Sequence, residues 1–246
     1  VSFFRMYVMA MFWVTTLSYL FVSRIGKDFD WKFCLKLFVV VILGALTHYY
    51  CIVFAVLISA VYGVYLLVSR QWKNVLLLCG SSALAAVVSY LVFPSMVFHM
   101  FSGYRGREAL ENLNNISDFL RRLGSFYRFI NKDLFAGYLT VIIVAFLLLF
   151  IAMLLKSGFA DSIKLLLGEG EQLLRYVILL IPIGIYYLMV SKMAAFVLNR
   201  YVFPIYAVTF LVGITLLINI FERCMPEKSS LIVSCALVGV ISVVGL

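Results

Sequence analysis

Long apolar runs alternate along this chain with short clusters of charge, and nearly every run is bounded by Lys, Arg, Asp or Glu. A helix needs about 20 apolar residues to cross a hydrocarbon layer of about 30 Å. Windows suited to crossing can be drawn at Phe3 to Val22, Phe33 to Leu46, Tyr49 to Val68, Val75 to Phe93, Leu134 to Leu155, Leu173 to Val190, Tyr201 to Phe221 and Leu231 to Leu246. The pattern predicts an all-α, polytopic transmembrane helix bundle of about eight spans, forming a single transmembrane domain over residues 1–246.

The second and third windows adjoin. From Leu37 to Val68 the only strongly polar side chains are Thr47 and His48, in GALTHYYCIV. One helix over that stretch would measure about 48 Å at 1.5 Å per residue, longer than the bilayer is thick. The pattern therefore predicts a hairpin broken near Thr47. A helix from Lys32 to Thr47 rises only about 24 Å, so it stops short of the far surface and leaves His48 recessed. Irregular backbone at that depth persists only where protein encloses it or water reaches it, which predicts a cavity open to one side.

The longest connection, residues 94–133, separates the fourth window from the fifth. Leu110, Leu113, Ile116, Phe119, Leu120 and Leu123 recur there at helical spacing, with Glu111, Asn115, Asp118, Arg121 and Arg122 on the other face. This predicts an external amphipathic loop of one or two helices lying on the membrane surface and stopped at Gly124.

Composition makes the class firm: 65% apolar and 13% charged residues, with a mean hydropathy of +1.11, describe repeated membrane spans and leave no room for a separate soluble domain. The net charge of +9 would suggest nucleic acid in a soluble protein. Here the basic residues sit at span ends, where membrane lipids are the first partners, and no nucleic-acid partner is expected. Cys34, Cys51, Cys79, Cys224 and Cys235 are scattered through apolar stretches without a CxxC pair. They read as packing residues, and neither a metal site nor a cofactor is expected.

Alternating the connections puts Arg24, Lys27, Lys32, Arg70, Lys73, Lys156, Lys164, Arg223 and Lys228 on one side. The short basic connections there assign it to the cytoplasm. The other side receives Arg5, the six cations of residues 94–133, Lys192 and Arg200. Nine cations thus face nine, and the external set, which topology does not explain, would be explained by a bound anion. Arg105, Arg107, Lys192 and Arg200 are candidates for gripping a phosphate or pyrophosphate, since a guanidinium offers a planar fork to two oxygens. Tyr49, Tyr50, Tyr104, Tyr127 and Tyr201 accompany them as interface anchors, Tyr49 and Tyr104 in particular also as platforms for a sugar ring, and His48 stands at the recessed turn either as a binding or proton-handling group or as a histidine bonded to a neighbouring helix. Paired carboxylates are absent from the spans and the turn, so no general base is visible.

Four segments carry a resemblance to a known family. FFRMYVMAMFWVTTLSYL (Phe3 to Leu20), GALTHYY (Gly44 to Tyr50), GYRGREALENL (Gly103 to Leu113) and NRYVFPIYAV (Asn199 to Val208) resemble, in that order, segments of the GT-C class of membrane glycosyltransferases. The likeness is to the bacterial family 39 type, in the group that includes protein O-mannosyltransferases and lipid A aminoarabinose transferases. The resemblance implies transfer of a sugar from a polyprenyl-phosphate donor to a protein, lipid or glycan acceptor at the external face of a bacterial plasma membrane, without a nucleotide. It identifies the expected anion as the donor phosphate, held by Arg105, Arg107, Lys192 and Arg200, with His48, Tyr49 and Tyr201 bordering the sugar or its phosphate. The family's acidic catalytic motif lies in an external loop ahead of the RMY helix, so the chain, which opens VSFFRMYVMA, is expected to be a carboxy-terminal portion whose catalytic base lies upstream of Val1. Phe3 stands where many relatives have Glu. The same cations would also serve a transporter or flippase of lipid-linked sugars, for which Pro182 and Gly184 read as an interruption of one span but without a matching break in the other half, and a non-catalytic membrane scaffold would need no wet basic pocket.

Overall fold

An apolar run without proline and without a charge beyond Arg5 winds into α1, Ser2–Val22, which ends in the turn Ser23 to Gly26, where Gly26 has φ 71°. Asp30 then caps α2, Trp31–Thr47, its carboxylate accepting the Phe33 amide hydrogen at 2.6 Å. His48 closes α2 and opens α3, Tyr49–Val68. Ser69 and Arg70 turn the chain into α4, Trp72–Val92, and Pro94 follows its end. Next come the amphipathic α5, Ser117–Phe129, continued by a π-helical turn at Ile130–Leu134, then α6, Glu171–Met193. A 3₁₀ turn at Asn199–Tyr201 leads into α7, Phe203–Cys224. This computed structural model describes residues 2–98, 107, 117–134, 137, 139–141, 143–144, 147–148, 151, 154–155, 158, 164, 167–193 and 199–224. Among the described residues all regular structure is helical.

Among the described residues four helices are long and apolar enough to cross a membrane: α3, α4, α6 and Phe203–Ile220 of α7. Met6–Val22 of α1 is a shorter apolar helix, and α2 has 17 residues, about 25 Å of rise. The predicted break falls at His48. Of the remaining windows, Leu231 to Leu246 lies outside the described residues and Leu134 to Leu155 is described only at scattered positions.

Three local expectations change. Gly124 does not stop the amphipathic helix, which runs on to Phe129. Phe126 is fully buried there, its ring 6.5 Å from that of Tyr187, and the Tyr187 hydroxyl donates to the Leu123 carbonyl at 3.0 Å. Those contacts offset the roughly 1 kcal/mol that an interior glycine costs a helix. Pro182 and Gly184, which read as an interruption, lie inside an unbroken α6. Lys192, placed by its neighbours in a connecting loop, belongs to the last turn of α6.

The described chain groups into two units, residues 1–126 with 177–209 and residues 127–176 with 210–246. In the first, α2 packs against α1, α3 and α4, and α3 packs against α1 and α4. Phe21, Phe33, Leu37, Phe54, Ile58 and Tyr62 fill the space between them, each exposed by 1% or less. Gly44 allows the closest approach: a methyl group there would lie 3.3 Å from Cβ of Cys51 and 3.5 Å from Cβ of Trp13. A polar clasp fixes the end of this bundle away from His48. The Phe29 amide donates to Oδ1 of the buried Asn74 at 3.0 Å, the Gly26 amide to the Tyr65 hydroxyl at 3.2 Å, and Arg24 pairs with Asp30 at 3.1 Å. The Phe33 amide and the Arg24 guanidinium hold the Asp30 carboxyl below the ordinary aspartate range. In the second unit the Asn219 amide donates to the Tyr176 hydroxyl, and Tyr127 and Thr140 share a hydroxyl hydrogen bond of 2.9 Å.

Candidate functional site

His48 owes its position to three hydrogen bonds. Its backbone is extended, with φ −162° and ψ 134°. Its N–H donates to the Gly44 carbonyl at 3.0 Å, and its own carbonyl accepts from the Cys51 amide at 2.9 Å. The imidazole turns back to cap α3, with Nδ1 accepting the Tyr50 amide hydrogen at 3.2 Å. A nitrogen that accepts carries no proton, so the ring proton of this arrangement is on Nε2. Nε2 has no hydrogen-bond partner among the described residues, although the residue is only 8% exposed.

Aromatic rings enclose the imidazole. Tyr50 stacks on it at 5.2 Å with an interplanar angle of 9°, Tyr49 lies at 4.5 Å, and Tyr7 approaches from α1 at 5.2 Å. The enclosure continues beyond the hairpin: the Tyr50 ring is 5.1 Å from Tyr201 and 6.0 Å from Tyr186, and Tyr7 is 6.3 Å from Phe203. A buried hydrogen bond of 2.8 Å from the Tyr186 hydroxyl to the Tyr201 carbonyl ties α6 to the 3₁₀ turn. That turn carries Arg200, whose Cζ lies 5.6 Å from the centroid of the Tyr201 ring. Arg200 is thus linked to the His48 imidazole through the rings of Tyr201 and Tyr50.

Of the residues singled out from the sequence, the fold brings together His48, Tyr49, Tyr201 and Arg200. Lys192 is engaged elsewhere, its Nζ 5.9 Å above the Phe119 ring of α5. It lies six residues beyond Tyr186 on α6, about 9 Å further along the axis and roughly 120° around it. Arg107 is exposed, and Arg105 and Tyr104 lie outside the described residues, as does the side chain of Arg5. Tyr7, Tyr50, Tyr186 and Phe203 complete the enclosure without having been chosen as site residues. Tyr7 and Tyr50 stood inside quoted motifs, RMY and THYY, while nothing in IPIGIYYLMV distinguishes Tyr186 from an interface anchor.

Chemically the niche offers a hydrogen-bond donor at Nε2, a fixed positive charge at Arg200, and flat aromatic walls. That set suits a ligand combining an anionic group with a ring. Among the described residues no three His, Cys, Asp or Glu side chains gather as a metal site would require. Composition, helix lengths and apolar faces define the protein as a helical membrane protein. Comparison with protein-family models, with curated proteins and with solved structures gives no match.

Proposed function

We propose that this chain forms the donor-binding part of a membrane glycosyltransferase that takes a sugar from a polyprenyl phosphate at the outer face of the membrane. The observation that carries the reading is the run of rings that links the His48 imidazole through the stacked Tyr50 to Tyr201 and the Arg200 guanidinium beside it. A phosphate would accept from both groups, and the Tyr49 and Tyr50 rings supply the faces on which a pyranose packs its C–H surface. The prenyl tail would run along apolar helix surface into lipid. The resemblance of the RMY, THYY and NRY segments to the GT-C class agrees with this division of labour.

Binding of a short-chain polyprenyl-phosphate hexose to the purified chain in nanodiscs tests the reading. One charge-assisted hydrogen bond contributes about 1.5–3 kcal/mol, so Arg200→Ala should weaken binding by roughly 10- to 100-fold. His48→Asn retains an acceptor for the Tyr50 amide while removing the Nε2 donor, and should weaken binding with the fold intact. Equal affinity of the native and Arg200→Ala chains would reject the assignment.

A further inference from the structure

We propose that the end of the helical bundle away from His48 binds anionic phospholipid headgroups on a paired Trp-Lys rim, built from Trp31 and Lys32 of α2 and Trp72 and Lys73 of α4. The same dipeptide opens both helices. The two helices pack side by side, and the Phe29 amide to Asn74 hydrogen bond of 3.0 Å ties the loop before α2 to the first turn of α4. Both pairs therefore stand at one level. Trp31 is 70% exposed and Trp72 62% exposed, an unusual amount of indole surface for a protein side that faces only water. It is what the headgroup layer of a bilayer accommodates. Lys32 keeps its ammonium 5.9 Å from the Trp31 ring centroid, and Lys36, one turn deeper, is exposed on the same helix face and long enough to reach up to the same layer.

Charge decides which lipid. Both carboxylates in this region are engaged by the protein itself: Asp30 by Arg24 at 3.1 Å and by the Phe33 amide, Asp28 by the Asn74 side chain at 3.4 Å. Lys27, Lys36, Arg70 and Lys73 make no ion pair with a carboxylate among the described residues, and Lys32 acts on Asp30 only from beyond ion-pair distance. A zwitterionic lipid would bring its own ammonium into that surplus of positive charge. An anionic phosphodiester brings only what the lysines lack. The rim is a second surface with no share in the His48 niche: α2 alone, at 17 residues, separates them by about 25 Å.

Native mass spectrometry of the chain released from nanodiscs of mixed phosphatidylglycerol and phosphatidylcholine reads the retained lipids directly. The native chain should retain phosphatidylglycerol in excess of its share of the bilayer. Lys32→Gln with Lys73→Gln should cut that retention roughly five-fold per lysine, and inorganic phosphate should lower it no more than sodium chloride of the same ionic strength does. Equal retention of the two lipids by the native chain, or undiminished phosphatidylglycerol on the double variant, would overturn the proposal; displacement by inorganic phosphate beyond that of sodium chloride would overturn the lipid assignment in favour of a small-anion site. Should the double variant fail to fold, a salt titration of the native chain decides, because retention that ignores ionic strength is incompatible with a screened electrostatic rim.

Discussion

At His48 one ring serves two purposes through its two nitrogens, and substitutions can separate them. Nδ1 caps α3 by accepting from Tyr50, and losing such a cap costs about 0.5–2 kcal/mol. His48→Ala should therefore lower stability in detergent by about that amount, whereas His48→Asn, whose side-chain oxygen replaces Nδ1, should lose much less; circular dichroism on heating compares the two. Gly44 works on the same turn from below, since its carbonyl holds the His48 amide and any side chain there meets Cys51 and Trp13. Gly44→Val should cost about 1–3 kcal/mol through overpacking, and it should disturb ligand binding as well because the turn moves with it. At Tyr186 the hydroxyl satisfies the buried Tyr201 carbonyl at 2.8 Å. Tyr186→Phe removes that hydrogen bond at a cost of about 1 kcal/mol, and the neighbouring Arg200 should lose part of its grip on an anion. A variant that binds as tightly as the native chain would show that the 3₁₀ turn does not depend on α6.

Helix ends hold the clearest link between sequence and element. α3 closes with Gln71 N–H on the Leu66 carbonyl at 2.9 Å and Arg70 N–H on that of Leu67 at 3.0 Å, with Arg70 at φ 56°. This is the Schellman arrangement with arginine in the left-handed position where glycine is usual. A non-glycine residue costs about 1–2 kcal/mol in that conformation, so Arg70→Gly should raise thermal stability by about 1 kcal/mol. At the start of α2, Asp30 has a folded-state carboxyl value depressed first by the Phe33 amide and then by Arg24. A depressed value means a contribution that is full above the unfolded-state value near pH 4 and lost as pH falls through the lower folded one. Acidification below about pH 4 should thus lower the melting temperature, and Asp30→Asn should flatten that part of the profile. The limits of α1, α3, α4 and α7 were legible because charges and turn residues bound each apolar run, and the break at His48 was legible because two polar side chains interrupt the longest one. Gly124 and Pro182 misled for a shared reason: local propensity argues for a stop, while packing at Phe126 and around the buried Ile178 and Ile183 keeps the helix intact. The tyrosine enclosure was only partly legible, since it joins residues 7, 48, 50, 186 and 201, and no spacing along a chain encodes such a meeting.

At the scale of the whole molecule, every residue of the candidate niche belongs to the first unit, although that unit is assembled from two stretches of chain, 1–126 and 177–209. The niche therefore exists only once the later stretch has joined the earlier one. Substitutions in α6 or the 3₁₀ turn should weaken ligand binding while leaving the clasp at Asn74 unaltered, which amide hydrogen exchange at Phe29 would report. The brevity of α2 reaches furthest. At 17 residues it is about 25 Å long where a typical hydrocarbon layer is about 30 Å, and each ångström of mismatch costs a fraction of a kcal/mol. Lipid beside this helix must dip to meet it, so the protein should respond to the thickness of its host membrane. Reconstitution into bilayers of 14-carbon and then 22-carbon acyl chains should show ligand affinity and melting temperature both falling in the thicker film, and the protein should collect in whichever membranes of the cell are thinnest.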